Sequence, residues 1–119
     1  MSTIKETSSN FVNKQALADE CPEVYAAQII GGQWALVICS WLINGKLRFG
    51  ELKSFLPNIT ERMLSLQLRK LEDSKIVKRT VYAEVPPRVE YELTAIGYDL
   101  KPVIEQLDKW GQKHKRLSL

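Results

Sequence analysis

At Ile76 the hydrophobic pattern of the chain changes period, and it changes back after Leu93. Before this interval apolar residues recur every three to four positions; Leu64, Leu68 and Leu71 are spaced by four and three. Within it Val89, Tyr91 and Leu93 alternate with Arg88, Glu90 and Glu92. The first spacing is that of one helix face and the second that of a half-buried strand. The consecutive prolines Pro86 and Pro87 cannot donate to a β-ladder, so 84–87 is the tip of a hairpin whose first strand carries Val77, Arg79, Val81 and Ala83. A single hairpin between helical stretches predicts a mainly α fold of the α+β class.

The helical stretches have their own boundaries. Cys21-Pro22 opens a helix, since proline suits the first helical position, with Val24, Tyr25, Ile29 and Ile30 as its buried face and Gly31-Gly32 as its stop. A second, from Gln33 to Ile43, is apolar all round and is expected to be the central buried helix, ending at Asn44-Gly45. A third covers about Arg48 to Leu56 with Phe49, Leu52, Phe55 and Leu56 inward, and Pro57-Asn58 turns the chain. Thr60 caps the fourth, which reaches Ser74. At 100° per residue its leucines face the core, while Arg62, Leu66, Arg69 and Asp73 face outward with Ser65 at the margin. Thr94 caps a last helix of about twenty residues with Ile96, Leu100, Val103, Leu107 and Trp110 on one stripe and Pro102 kinking it. Trp34, Trp41, Phe49 and Met63 are read as core. Residues 1–20 are read as a flexible or loosely docked arm, 21–111 as the domain, and 112–119 as a basic tail.

The three helices that directly precede the hairpin, the hairpin itself and the long helix after it make a winged helix-turn-helix. Charge agrees with a polyanionic partner. Overall there are 17 Lys and Arg against 14 Asp and Glu, a net +3. From Lys46 to Arg79, however, nine basic residues face four acidic ones, so this stretch carries +5 and the remainder −2. A helix fits the major groove of duplex DNA, basic side chains neutralise phosphates, and a hairpin reaches the neighbouring groove or backbone.

The residues also carry a family resemblance. Cys21-Pro22, Gly32-Gln33-Trp34, Gly45 with Arg48-Phe49 and Glu51-Leu52, Ile59-Thr60 with Met63-Leu64, Leu68-Arg69 with Leu71-Glu72, and Pro86-Pro87-Arg88-Val89-Glu90-Tyr91 with Leu93-Thr94 and Gly97 resemble the HxlR family of bacterial transcription regulators over about residues 21–111. The resemblance implies a homodimeric, MarR-like DNA-binding regulator, several members of which sense oxidants or electrophiles through the N-terminal cysteine.

Candidate DNA contacts are Arg48, Thr60, Glu61, Arg62, Ser65, Leu66, Arg69, Lys78, Arg79 and Arg88. Arg62, Ser65 and Arg69 occupy the face that would meet the groove; otherwise that face is only solvated. Glu61 either accepts from a cytosine amino group or favours the helix N-terminus, and Leu66 either meets a thymine methyl or packs on a neighbour. Lys78 and Arg79 are suited to phosphates. Arg88 enters the minor groove or touches phosphate, or else pairs with Glu84 or Glu90. Val24, Tyr25 and Ile29, with Leu100, Val103, Leu107 and Trp110, are the candidate dimer interface, because the final apolar stripe exceeds what a small core can cover; otherwise the last helix folds back on its own domain. Two dimer-related recognition helices about 34 Å apart would read a palindromic operator.

Cys21 stands at a helix N-terminus, where the dipole favours thiolate, with Glu20 and Glu23 opposing; it is either a sensor or an unreactive capping or interface residue. Cys39 reads as a small buried hydrophobe. With His114 as the sole histidine, catalytic triads and His-based metal sites lack material, and no Gly-rich phosphate loop occurs, so an enzyme, a metal and a cofactor are not expected. The absence of an export signal or a bilayer-length apolar run predicts a cytoplasmic protein without a membrane partner. Two further readings stay open: a winged helix that binds protein rather than DNA, and a regulator gated by a small molecule without cysteine chemistry.

Overall fold

The computed structural model describes residues 16–117. The chain divides between Gln33 and Trp34 into two units. Of the arm expected over 1–20, residues 1–15 lie outside the described residues, and 16–20 are helical.

In the first unit the Cys21 amide donates to the Leu17 carbonyl at 2.7 Å, and Cys21 then turns extended, φ −119° and ψ 101°, to start α1, Pro22–Ile30. Pro22 sits at the first helical position because its missing N–H would have had no partner there. Of the four side chains expected to be buried here, Ile30 is; Val24 and Ile29 are half-buried and Tyr25 is exposed. An apolar stripe shows which way a helix faces, not whether the single chain supplies the cover.

The second unit contains the rest of α2, Gln33–Leu42, then β1, Leu47–Arg48, α3, Phe49–Phe55, α4, Glu61–Asp73, β2, Val77–Tyr82, β3, Arg88–Leu93, α5, Ala95–Tyr98, and α6, Leu100–Lys115. Gly45 takes φ +140° in the turn after α2, a conformation open to glycine but strained for any residue with a Cβ. Ile38, Leu42, Leu52, Leu64, Leu68 and Val77 are almost wholly buried, each contributing about 1.5–3 kcal/mol of transfer free energy.

The expected two-stranded hairpin is part of a three-stranded antiparallel sheet of order β1-β3-β2. Leu47 pairs with Tyr91 and Arg48 with Glu90, so β1 covers what would otherwise be a hairpin edge. Two residues are too few to show a period. On the other side Val77 faces Leu93, Arg79 faces Tyr91 and Tyr82 faces Arg88.

α4 ends in a left-handed cap. Lys75 has φ +63°, its amide donates to the Glu72 carbonyl, and the Ile76 amide donates to the Leu71 carbonyl, which is the Schellman pattern. Across the sheet the Thr94 hydroxyl accepts from the Gly97 amide at 3.1 Å and donates to the Lys75 carbonyl at 2.6 Å. One side chain thus caps α5 and fastens it to the α4–β2 turn.

The single last helix is in fact two, broken at Asp99. Pro102 lacks the N–H that would reach the Tyr98 carbonyl, and its ring would press on that carbonyl. The break therefore falls ahead of the proline, leaving Pro102 in the first turn of α6 rather than at an internal kink. α6 continues past Gly111 to Lys115, so part of the expected tail is helical. Phe55, expected inward, and Trp41 and Met63, expected in the core, are 41%, 39% and 37% exposed. The first two stack on each other, ring centres 4.3 Å apart and planes at 13°, covering one face of each ring.

Candidate nucleic-acid interface

α4 starts cleanly because the Thr60 hydroxyl accepts from the Met63 amide at 3.1 Å, as a capping threonine does. Its buried stripe of Leu64, Leu68 and Leu71 fixes the rotation of the helix. Glu61, Arg62, Ser65, Leu66 and Arg69 are consequently exposed. Glu61 lies in the first turn, where a carboxylate suits the helix dipole.

One concave surface adjoins this helix and the sheet, and a second lies between the start of α3 and the hairpin. One, about 400 Å³, is polar and lined by Ser65, Arg69 and Glu72 of α4 with Arg79 and Tyr91 of the sheet. The other, about 430 Å³, separates Arg48, Phe49 and Gly50 from the hairpin residues 84–89. The Arg48 backbone amide donates to the Glu51 carboxylate at 2.9 Å, and its side chain stays exposed. Val85 is fully exposed at the hairpin tip.

The basic residues fall into two groups. Lys46 pairs with Glu90 at 3.7 Å; Tyr82 foremost, and then Glu90, raise its ammonium pKa above the ordinary value. Arg88 pairs with Glu84 at 3.2 Å and lies 4.0 Å from Glu90, its guanidinium 4.1 Å from the centre of the Tyr82 ring. Its Nε is buried without a hydrogen-bond partner. Of the alternatives open for Arg88, the intra-hairpin pairing is the arrangement present. Arg48, Arg62, Arg69, Lys78 and Arg79, by contrast, have no carboxylate within 4.0 Å among the described residues. Glu72 and Tyr91 are the site-lining residues that sequence reasoning missed. Glu72 stands seven residues from Ser65 on the same helix stripe, and Tyr91 is placed only by strand register.

On α6, Val103, Leu107 and Trp110 are exposed, Trp110 to 62%, and with Pro102 and Gln106 they line a shallow apolar groove of about 580 Å³. Trp110 stacks on His114 at 5.0 Å. Leu100 is half-buried.

Cys21 is partly exposed at the N-cap of α1 and makes no capping bond through its side chain. Cys39 is buried, and desolvation pushes its thiol up to about 11. Among the described residues no group of three or more His, Cys, Asp or Glu could hold a metal ion, and no single helix is long and apolar enough to cross a membrane.

Residues 29–118 match the HxlR-like helix-turn-helix family. The chain belongs to that family. This HxlR-type regulator is 41% identical over 112 residues to the HTH-type transcriptional regulator YybR of Bacillus subtilis (strain 168), covering 94% of the chain and 86% of the relative. Among solved structures it is similar to the reduced form of the redox regulator HypR, with TM-score 0.77, 44% identity and coverage of 81% of this chain and 95% of that one. It is also similar to a protein of Porphyromonas gingivalis W83 assigned to the MarR family, with TM-score 0.74, 41% identity, and 78% and 91% coverage. The winged-helix fold and the MarR-like character read from the sequence are those of these relatives. The HxlR-type chain is a transcriptional regulator, a non-enzymatic class.

Proposed function

We propose that the chain binds a palindromic operator as a homodimer, with α4 in the major groove and the hairpin on the adjoining backbone or minor groove. The observation that carries this reading is the sorting of charge: Arg62, Arg69, Lys78 and Arg79 on α4 and β2 have no carboxylate partner among the described residues, whereas Lys46 and Arg88 are paired. Charges left unpaired beside an exposed helix face suit a phosphate backbone. In this arrangement Arg62, Ser65 and Leu66 approach base edges, Thr60 and Glu61 set the helix start, and Arg48, Arg69, Lys78 and Arg79 meet phosphates. Arg88 lends its charge at the hairpin while tied to Glu84.

The dimer forms through the open apolar faces of α1 and α6, which meet a second copy at Val24, Tyr25 and Ile29 and at Leu100, Val103, Leu107 and Trp110. Oxidation or alkylation of Cys21 regulates binding. In support, the thiol is partly exposed at the positive end of a helix dipole, and a similar protein, the redox regulator HypR, has been solved in oxidised and reduced forms.

The deciding experiment maps the DNA protected upstream of the chain's own gene and titrates that duplex against salt. Affinity is expected to fall steeply with salt. Lys78→Ala is expected to weaken all duplexes alike, and Arg62→Ala to relax sequence preference as well. Negligible duplex affinity at any salt would point to a protein partner and reject the reading. For the thiol, unchanged operator affinity after alkylation, or equal oxidant response in Cys21→Ser, rejects cysteine control.

A further inference from the structure

The polar concavity between α4 and the hairpin holds two guanidinium residues from different elements. Arg69 belongs to the α4 stripe of Ser65, Arg69 and Glu72, and Arg79 stands opposite Tyr91 in the β2–β3 register. Among the described residues neither arginine has a carboxylate within 4.0 Å, although Glu72 lines the same concavity. Two like charges facing one polar space repel, and an anion placed between them relieves that repulsion. Guanidinium forks match phosphate oxygens in pairs.

Geometry selects the kind of anion. If α4 lies in one groove and the hairpin at the next, the sugar-phosphate strand that separates the grooves passes between the two elements. The concavity is the space those elements leave. Resting on the DNA-binding reading above, we infer that Arg69 and Arg79 close on one and the same backbone phosphate in each half-site, with Ser65 as a further donor and Glu72 as the group that limits its affinity. The clamp joins helix and hairpin through a single phosphate, so it fixes the register of the protein on the duplex without reading a base.

The test uses the protected half-site with neutral methylphosphonates introduced one position at a time, assayed with the full-length protein at fixed salt. For the wild type, one position per half-site is expected to cost about tenfold in affinity, the scale of one charge-assisted contact. Arg69→Ala and Arg79→Ala are each expected to lose about tenfold on the native duplex and to become indifferent to that same methylphosphonate. The double variant is expected to be no more than about threefold worse than either single one, because both remove the same contact. Glu72→Gln is expected to tighten binding several-fold and to keep the same sensitive position. All three sites line a solvent-facing surface, and unchanged thermal melting checks that the variants fold. If the two arginine variants lose sensitivity at different phosphates, or their losses multiply, the shared clamp is overturned while DNA binding stands. If the wild type does not bind the duplex at all, both fall.

Discussion

The Arg88 guanidinium lies 4.1 Å from the centre of the Tyr82 ring, and the two residues face each other across the last pair of the β2–β3 register. With Glu84 at 3.2 Å and Glu90 linked to Lys46, this stack ties the outer end of the hairpin together. Glu84 is half exposed, so the ion pair counts for little by itself and the flat stacking contact supplies much of the effect. Arg88→Ala is expected to destabilise the chain by about 1 kcal/mol in urea unfolding. Arg88→Lys is expected to recover less than half of that, because an ammonium cannot lie flat on the ring. Full recovery by lysine would show that charge alone matters there.

Gly97 permits close contact between α5 and the sheet. A Cβ at this position would run into the Ile76 carbonyl and lie 3.1 Å from the Leu93 Cβ. Gly97→Ala is therefore expected to cost about 1–3 kcal/mol in spite of alanine's better helix propensity. A thermal melt equal to or above the wild type would contradict this.

Lys75 offers the opposite case. Its left-handed φ of +63° strains a residue bearing a Cβ, and glycine would adopt it freely. Lys75→Gly is expected to raise stability by about 0.5–1 kcal/mol, measured as a shift in urea midpoint at constant slope.

The two cysteines are expected to behave differently. Burial raises the Cys39 thiol from 9.0 to about 11, so at neutral pH iodoacetamide modifies Cys21 alone in the native chain and both after unfolding. The sign of the stability effect follows from the unfolded thiol ionising first. Its stabilising contribution is whole below pH 9 and is lost progressively as the pH climbs toward about 11. Unfolding at pH 8 and pH 10.5, compared between the wild type and Cys39→Ala, isolates this slope; an identical slope in the two proteins would refute it.

Leu107 sits in the middle of the open α6 stripe. Leu107→Glu places a carboxylate where the proposed second copy docks, and is expected to weaken dimerisation at least tenfold in sedimentation equilibrium while leaving the monomer folded. Its exposure in the single chain is why folding survives. An unaltered association constant would remove α6 from the interface.

Local chemistry was legible in the sequence wherever one segment contains both the signal and its consequence. The cap of α4 at Thr60, its leucine stripe, the stop after Ile30 and the tip at Pro86-Pro87 each depend on neighbours within a few positions. The outward placement of Arg62, Ser65 and Arg69 follows from that stripe alone. Tertiary structure decided what distant segments do to one another. β1 exists because Leu47 and Arg48 find β3, a pairing that two residues cannot announce. Trp41 and Phe55 stack on each other at the surface, a pairing between two helices that neither segment announces alone. Arg88 is occupied by Tyr82 and Glu84, while Arg69 and Arg79 come together across a helix and a strand. Periodicity reports the direction in which a side chain points; only packing brings the group that meets it, and a charge is free or spent according to that group.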